Sequence, residues 1–295
     1  MIDGLVIKGV ASRYKVDTAD GIVTSYARGK LKIDGEIRVG DKVGVEKQGK
    51  DFVIAKVYER KNALIRPYVA NVDVCFIVIA PVPAPDFMLV DKIIVNARMN
   101  GIEPVLLINK TDIADESFVK CTESDYRDVL DVIATSAKTE LNKDKIFEKT
   151  KGKTACLAGQ SAHFSSAVGK SSLLNMLTGT ESQETGGLSK KTERGKHTTR
   201  QSEILVVGGA RIIDTCGFSM LELPENFRPQ ELVYFYDEFV PYAGKCRFRT
   251  GCTHIKEPDC AVKDAVESGK ISKNRYERYC VLYNELNEKW RKRYE

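Results

Sequence analysis

The sequence predicts three consecutive folding units: an all-β barrel, a central α/β unit and an α-helical unit at the carboxyl end. Short segments rich in Val, Ile and Tyr fill residues 1–65, strand and helix patterns alternate over 66–222, and helical patterns dominate 223–295. The chain has 295 residues, of which 42% are hydrophobic, so it can bury more than one core. We therefore expect boundaries near residues 65 and 222.

The first unit is predicted from strand-like segments that turn residues separate. These segments are "GLVIKGV" (4–10), "GIVTSYA" (21–27), "DKVGVEK" (41–47) and "DFVIAKVYE" (51–59). No helical pattern interrupts them. Five or so strands in 65 residues indicate a small closed barrel, an architecture that often binds oligonucleotides.

The central unit is predicted from apolar runs that are typical of buried parallel strands. The runs cover residues 72–80, 103–109, 129–135 and 153–159. Helical spacing appears over 87–100, and a further helix should follow Lys170. Residues 202–209 and 210–214 resemble paired strands. The alternation favours a mostly parallel sheet with helices on both faces.

Two polar motifs at strand ends are suited to reading guanine. Asp112 can accept hydrogen bonds from the N1–H and the 2-amino group of guanine, and adenine offers no such pair. Asn109 can brace neighbouring loops or contact N7, while the stem of Lys110 can lie over the base. One strand later, Ser136, Ala137 and Lys138 would supply a backbone N–H to the guanine O6. Open α/β sheets bind ligands at this edge.

A stretched loop between Gly159 and Lys170 resembles a phosphate-binding loop. Nine residues, 160–168, separate Gly159 from the Gly169-Lys170 pair, whereas the usual motif has four. The backbone N–H groups of Val168 to Ser172 would face phosphate oxygens, Lys170 would reach the β- and γ-phosphates, and Ser171 would hold Mg²⁺. The alternative is an ordinary strand–loop–helix connection.

Further residues would complete a nucleotide switch. Asp214, at a strand end, would hold Mg²⁺ through water, and Gly217 would donate its N–H to the γ-phosphate. Thr198 or Thr199 could complete the Mg²⁺ shell and release its loop on hydrolysis. Phe218 stands where many GTPases place a water-orienting Gln. His197 is our hypothesis for the residue that replaces it in catalysis.

The order of these motifs is unusual. In an ordinary GTPase the phosphate loop comes first, but here Asn109–Asp112 and Ser136–Lys138 precede Lys170 and Asp214. Because chain ends often lie close together, the same sheet can be cut and rejoined elsewhere. The order therefore implies a circularly permuted GTPase domain that binds GTP or GDP.

A cysteine and histidine cluster follows in the helical unit. Cys246, Cys252, His254 and Cys260 match a closed structural site for one Zn²⁺ ion, although three reduced cysteines and a surface histidine are the alternative.

The last 26 residues mix cations with aromatic residues, which indicates either an RNA-facing surface or a solvated helix with packing aromatics. No apolar run could span a membrane and no secretory signal is evident, so we expect a cytoplasmic protein.

The chain is similar over essentially its whole length to the circularly permuted, ribosome-associated GTPases called ribosome small subunit-dependent GTPase A. The similarity lies in "RPYVANVD", "INKTD", "TSAK", "GKSSLLN", "RGKHTTR", "DTCGF" and "CTHIKEPDCAVKDAVESGKI". The resemblance implies an OB-fold at residues 1–65, a permuted GTPase domain at 66–222 and a zinc-bearing helical domain at 223–295. It also implies late maturation of the small ribosomal subunit, binding to that subunit and its rRNA, and hydrolysis that the subunit stimulates. We expect the chain to act as a monomer.

Three departures from the family pattern stand out. "AHFSSA" (162–167) replaces one glycine of the phosphate loop, five residues separate Cys246 from Cys252 where four are usual, and Cys216 replaces a proline. We expect zinc binding to persist and GTP binding to be weakened or altered. An RNA-binding assembly factor with an impaired nucleotide site is therefore the alternative function.

Overall fold

Five amino-terminal strands close into a barrel in the computed structural model, which describes residues 1–10, 12–27, 36–49, 51–64, 68–160, 168–179, 202–214, 223–224 and 226–293. The strands are β1 (Ile2–Val10), β2 (Arg13–Thr18), β3 (Gly21–Ala27), β4 (Lys42–Gln48) and β5 (Asp51–Val57). The strand order β1-β2-β3-β5-β4 returns to β1, because β4 also pairs with β1. Four of these strands correspond to predicted segments, and the predicted barrel is confirmed.

The barrel interior is filled by β-branched residues whose side chains are fully buried, including Val6, Val16, Val43 and Ile54. Strand β2 was not among the segments named from the sequence. Its central residues alternate between polar and apolar, and Val16 is the only one that is fully buried. A strand with a single core residue gives too weak a pattern to be recognised by itself.

The central unit is built on parallel strands. After the short pair β6 (Ala63–Leu64) and β7 (Val69–Ala70), these are β8 (Val74–Ile79), β9 (Glu103–Ile108), β10 (Asp131–Ala134), β11 (Thr154–Ala158) and β13 (Ala210–Asp214), with β12 (Glu203–Val207) antiparallel to β13. Their order is β10-β9-β8-β11-β13-β12. The predicted strands and the predicted hairpin are confirmed. Strand β11, which precedes the phosphate loop, lies between β8 and β13, and β9 and β10 lie beyond β8.

Helices cover both faces of this sheet, as the alternation predicted. They are α1 (Phe87–Met99), α2 (Glu116–Tyr126), α3 (Lys143–Thr150) and α4 (Lys170–Thr178). Residues of α1 and α2 pack with one set of strand side chains, and residues of α3 and α4 pack with the other set. Asp86 caps the amino end of α1, because its carboxylate accepts a hydrogen bond from the N–H of Leu89.

The barrel and the central sheet are joined edge to edge. Lys8 of β1 is the register partner of Glu203 of β12, and their side chains form an ion pair. Nearby, Arg60 holds the fully buried Asp41 through Nε at 2.7 Å. The sheet runs from one unit into the other, so the strand pairing itself marks no boundary between them.

The carboxyl-terminal unit is helical, as predicted. It contains 3₁₀ turns at Pro229–Phe235 and Arg249–Gly251, and helices α5 (Val240–Ala243), α6 (Ala261–Glu267) and α7 (Lys273–Arg291). Its core includes the buried aromatic residues Tyr236, Phe239 and Tyr279, whose ring centroids lie 4.9 to 5.1 Å apart. Within the described ranges, every helix is too short or too polar to cross a bilayer.

Candidate nucleotide site and metal centre

Three loops that carry the predicted nucleotide residues meet at one edge of the central sheet. Asn109 follows β9, Ser136 follows β10, and Gly159 follows β11. Because these strands are parallel, their carboxyl ends open on the same side. The three loops therefore come together as predicted, although Asn109 and Gly159 are 50 residues apart in the chain.

Asn109 is the side chain that ties these loops together. It is only 1% exposed. Its Nδ2 donates to the carbonyl oxygen of Val168 at 2.9 Å, and its Oδ1 accepts from the N–H of Ala137 at 3.1 Å. One amide group thus links the base-reading loop after β10 to the loop that enters α4, and this agrees with its predicted bracing role.

Two glycines of the phosphate loop stand where no other residue fits. Gly159 has φ +132°, and a Cβ there would lie 2.3 Å from the carbonyl oxygen of Val78. Gly169 has φ +88°, and a Cβ there would lie 2.3 Å from Nδ2 of Asn109. Both positions thus require glycine for space and for backbone conformation. Close backbone approach of this kind is typical of loops that surround phosphate.

The carboxylate of Asp112, which was predicted to read the base, is held in place by its neighbours. Oδ1 of Asp112 accepts a hydrogen bond from the Ser136 hydroxyl at 2.7 Å, and Lys138 lies 4.0 Å from Oδ2. Lys110 has a left-handed backbone, φ +61°, and its ammonium donates to the carbonyl oxygen of Val82 at 3.0 Å. These contacts orient Asp112 while leaving lone pairs that can accept from guanine.

Lys170 lies inside the phosphate loop. Its ammonium donates to the carbonyl oxygens of Gly159 at 2.9 Å and of Gln160 at 3.0 Å. Burial lowers the pKa of Lys170 to about 8. Ser171 and Ser172 follow in the first turn of α4, and Gly169 precedes that helix. An anion at this helix end would meet backbone N–H groups and the ammonium together.

The predicted zinc ligands form a compact group. The ligand atoms of Cys246, Cys252, His254 and Cys260 all lie within 4.8 Å of one another, and all four residues are buried. Sγ of Cys246 lies 3.7 Å from Sγ of Cys260 and 3.5 Å from Nδ1 of His254. Tetrahedral zinc with its usual bond lengths requires separations of about 3.8 Å for two sulfurs and about 3.6 Å for sulfur and nitrogen.

The donor set and its spacing therefore suit zinc. Burial lowers the pKa of His254, which favours the neutral imidazole that binds metals. Three sulfurs and one nitrogen fill all four positions, so the ion would hold the fold and would not carry out chemistry. Bound there, Zn²⁺ would supply cross-links between loops that are 14 residues apart in the chain.

The additional residue between Cys246 and Cys252 is absorbed in a turn. The N–H of Gly251 donates to the carbonyl oxygen of Phe248 at 2.9 Å, and Arg249 has φ +42°. The longer spacing leaves both cysteine sulfurs in the ligand group, as we expected.

A second layer of contacts orients the ligand loop. Glu257 accepts hydrogen bonds from Thr253 Oγ1 at 2.7 Å and from the N–H of Ile255 at 3.1 Å. Burial alone would raise the pKa of Glu257, but these hydrogen bonds hold it at about 2. The hydroxyl of Tyr276 donates to the carbonyl oxygen of His254 at 2.8 Å. Such contacts fix the direction of the ligands before the ion binds.

Comparison with known proteins decides the family. The family model described as RsgA GTPase matches residues 57–224. A protein of Clostridium beijerinckii called small ribosomal subunit biogenesis GTPase RsgA is 38% identical, over 97% of this chain and 98% of its own. One of that name from Caldanaerobacter subterraneus subsp. tengcongensis is 40% identical, over 99% and 98%. The chain belongs to the RsgA GTPase family.

Solved structures of RsgA-like proteins agree with this assignment. YjeQ from Thermotoga maritima superposes with a TM-score of 0.81 at 33% identity, covering 97% of this chain and 98% of that one. YloQ, described as a circularly permuted GTPase, gives 0.80 at 31% identity, covering 98% and 96%. As a member of the RsgA GTPase family, the chain is a GTP hydrolase that uses GTP, GDP and Mg²⁺.

The predicted Mg²⁺ ligands suit that ion by chemistry and by placement. The Ser171 hydroxyl and the Asp214 carboxylate offer the oxygen donors that Mg²⁺ prefers. Ser171 lies in the first turn of α4, and Asp214 ends β13, the strand next to β11. The side chain of Asp214 lies outside the description, and so do His197, Thr198, Thr199 and Gly217 together with 161–167 and Cys216.

The structure also shows a buried ionic cluster that the sequence analysis missed. We call it the Asp91 cluster; its members are Asp91 of α1, Tyr126 of α2, Glu238 of the loop before α5, and Arg275 and Arg278 of α7. Oδ1 of Asp91 lies 2.5 Å from Arg275 Nη1, and Oδ2 lies 2.6 Å from Arg278 Nε. Arg275 also binds Glu238 at 2.7 Å. The cluster joins the helical unit to the central unit.

This cluster corrects one interpretation of the basic tail. Arg275 is 1% exposed and the side chain of Arg278 is 15% exposed, so neither belongs to an RNA-facing surface or to a solvated helix face. Tyr279 and Tyr283 follow them on α7 and pack in the core, as the second interpretation proposed. Arg278 and Tyr279 lie three and four residues after Arg275, so all three share one face of α7. This spacing could have indicated a buried face, but the charge of the arginines suggested that they are exposed.

Proposed function

We propose that this GTPase acts in late maturation of the small ribosomal subunit, binds that subunit and its rRNA, and hydrolyses GTP faster when the subunit is bound. The names of its relatives support the subunit as partner. The observation that best supports the nucleotide site is the pair of hydrogen bonds made by Asn109. They join the phosphate loop to the loop after β10. The proposal keeps the three domains at residues 1–65, 66–222 and 223–295, a monomer, and a cytoplasmic location.

Each residue has a defined role in this proposal. Asp112 selects guanine over adenine, and Lys170 with the amino end of α4 holds the phosphates. Ser171 and Asp214 hold Mg²⁺, which Thr198 or Thr199 also contacts when GTP is bound. His197 orients the attacking water in place of the Gln that many GTPases carry where this chain has Phe218. When Ala replaces His197, turnover should fall without loss of GTP binding, and unchanged turnover would reject that role.

A second candidate function is an RNA-binding assembly factor whose nucleotide site is impaired. Two observations favour it. The phosphate loop is five residues longer than the family pattern and lacks one of its glycines. In addition, the Lys170 ammonium already binds the carbonyl oxygens of Gly159 and Gln160, so phosphate must compete with these two hydrogen bonds.

One experiment separates the two functions. A fluorescent GTP analogue is titrated into the protein with and without small ribosomal subunits, and phosphate release is measured in both conditions. A working GTPase binds the analogue and releases phosphate faster with subunits. If the subunits bind but neither nucleotide binding nor phosphate release is detected, the second function is correct.

A matched variant tests the stretched loop directly. Replacement of residues 162–167 by a single Gly restores the family spacing, so GTP affinity should rise. Equal affinity of the two proteins would show that the longer loop leaves the phosphate cradle intact.

A further inference from the structure

An exposed segment between the first two zinc ligands has chemistry that zinc binding does not use. We call residues 245–249 the zinc-loop tip. Within it, Lys245, Arg247, Phe248 and Arg249 are exposed and only Cys246 is buried. The ring of Phe248 is 47% exposed and lies among these exposed cations.

The turn after Cys246 pins the tip at both ends. The N–H of Arg249 donates to the carbonyl oxygen of Cys246 at 3.0 Å, and that of Cys252 donates to the carbonyl oxygen of Arg249 at 3.2 Å. The side chains of Cys246 and Cys252 are held in the buried ligand group. The residues between them must therefore project outward. This is also where the chain has one residue more than the family spacing.

The carboxylates near the tip are already engaged. Asp259 pairs with Arg247 at 3.0 Å, and Glu257 accepts hydrogen bonds from the ligand loop. Among the described residues, Lys245 and Arg249 have no acidic partner within ion-pair distance. Exposed positive charge without an acidic partner consequently precedes and follows Phe248 in the chain.

Cations also lie beside two aromatic rings, that of the exposed Phe248 and that of the half-buried Tyr242. The Arg247 guanidinium is 5.9 Å from the centroid of Phe248, and the Lys245 ammonium is 5.8 Å from that of Tyr242. An exposed aromatic ring with cations nearby in the same loop can stack with a nucleobase while the cations meet phosphates. A protein interface would instead need a larger apolar centre with few charges.

We propose that the zinc-loop tip binds single-stranded or looped RNA, with one base stacked on Phe248 and phosphates on Arg249 and Lys245. This inference rests on the proposed function, because it names a contact between the helical unit and the RNA partner. Zinc has an indirect role, since it holds the two ends of the loop that displays the ring.

The test uses the full-length, zinc-loaded protein and a fluorescein-labelled, 12-nucleotide single-stranded RNA of mixed sequence. Fluorescence anisotropy measures affinity for Phe248→Ala, Phe248→Tyr and Arg249→Ala. Tyr234→Ala is the matched aromatic control, because Tyr234 is 64% exposed in the same unit. Lys120→Ala is the cation control, because Lys120 is exposed on α2. Zinc content is measured for every variant.

Phe248→Ala should weaken binding by about tenfold, the size expected for loss of one stacked base, and Phe248→Tyr should bind within about twofold of the wild type. Arg249→Ala should weaken binding and reduce the salt slope of log K by about 0.7, as expected for one phosphate contact to a single strand. The controls should bind as the wild type does, with zinc retained throughout. A 4-thiouridine probe should cross-link to residues 245–251.

The proposal is overturned if the wild type binds the RNA and the tip variants match the two controls. It is also overturned if the tip variants lose binding to small subunits but keep full RNA affinity, since the tip would then contact a protein. Absence of wild-type binding to both RNA and small subunits would reject the proposed function as well. Basal GTP hydrolysis, measured in parallel, should be the same in all variants.

Discussion

Removal of Arg275 should destabilise the helical unit more than any exposed change on the same helix. Arg275 binds Asp91 at 2.5 Å and Glu238 at 2.7 Å, and these three side chains are at most 6% exposed. Arg275→Met keeps most of the volume but leaves Glu238 without an ion pair in the described part of the chain. Breaking a buried pair in this way costs about 3–5 kcal/mol.

Trp290 provides the assay, because it is the only tryptophan and lies on α7. Its fluorescence in urea reports unfolding of the helical unit. With an m-value of about 1.5 kcal/mol/M, the loss should lower the midpoint by about 2 to 3 M. Lys273→Met is the matched control, since the Lys273 side chain is 80% exposed on the same helix. It should change the free energy of unfolding by less than about 0.5 kcal/mol.

A double variant sharpens the result. Glu238→Gln removes the charge that Arg275→Met leaves unpaired, so the two changes together should cost less than the sum of their separate costs. If Arg275→Met shifts the midpoint no more than Lys273→Met does, the Asp91 cluster does not hold the helical unit, and the reasoning is refuted.

Four further predictions test the two sites. Gly169→Ala should abolish GDP binding while circular dichroism stays unchanged, since the added Cβ would lie 2.3 Å from Asn109 Nδ2; retained binding would contradict the geometry. Asp112→Asn should favour xanthosine over guanosine diphosphate in competition, because the amide donates where the carboxylate accepts; an unchanged preference would exclude base reading by Asp112. GDP affinity should fall above pH 8, by up to about tenfold per pH unit, because the pKa of Lys170 is about 8 and phosphate binding requires its charged ammonium. Lys170→Arg should abolish this decline. Cys260→Ser should lower zinc content but leave GDP affinity intact, since the two sites lie in different units; a parallel loss of both would show that they depend on each other.

The sheet could be predicted because its strands are buried on both faces. Residues 74–79 are all buried. A short apolar run of this kind, with turn residues at both ends, indicates a buried parallel strand. The nucleotide loops could be placed because parallel strands open on one side. Strand β2 could not be predicted because most of its residues are polar and Val16 is its only fully buried residue.

The Asp91 cluster could not be predicted for a different reason. Its members are separated by up to 187 residues, and nothing local distinguishes a buried arginine from a solvated one. The sequence identified Arg275 and Arg278 as cations; only the packing of α7 against α1 decides that these two are paired and buried. Long-range charge pairing is a property of the fold, whereas ligand clusters such as Cys246–Cys260 are local.

Helix α1 contacts both the phosphate loop of the central unit and helix α7 of the carboxyl-terminal unit. At its start, the N–H of Asp86 lies 3.4 Å from Oε1 of Gln160 in the phosphate loop. One and a half turns later, Asp91 binds the two arginines of α7. One helix therefore contacts the phosphate loop at one point and the carboxyl-terminal helical unit at another. Residues along α1 pack on the central sheet, so both contacts are made by one helix that this sheet holds in place.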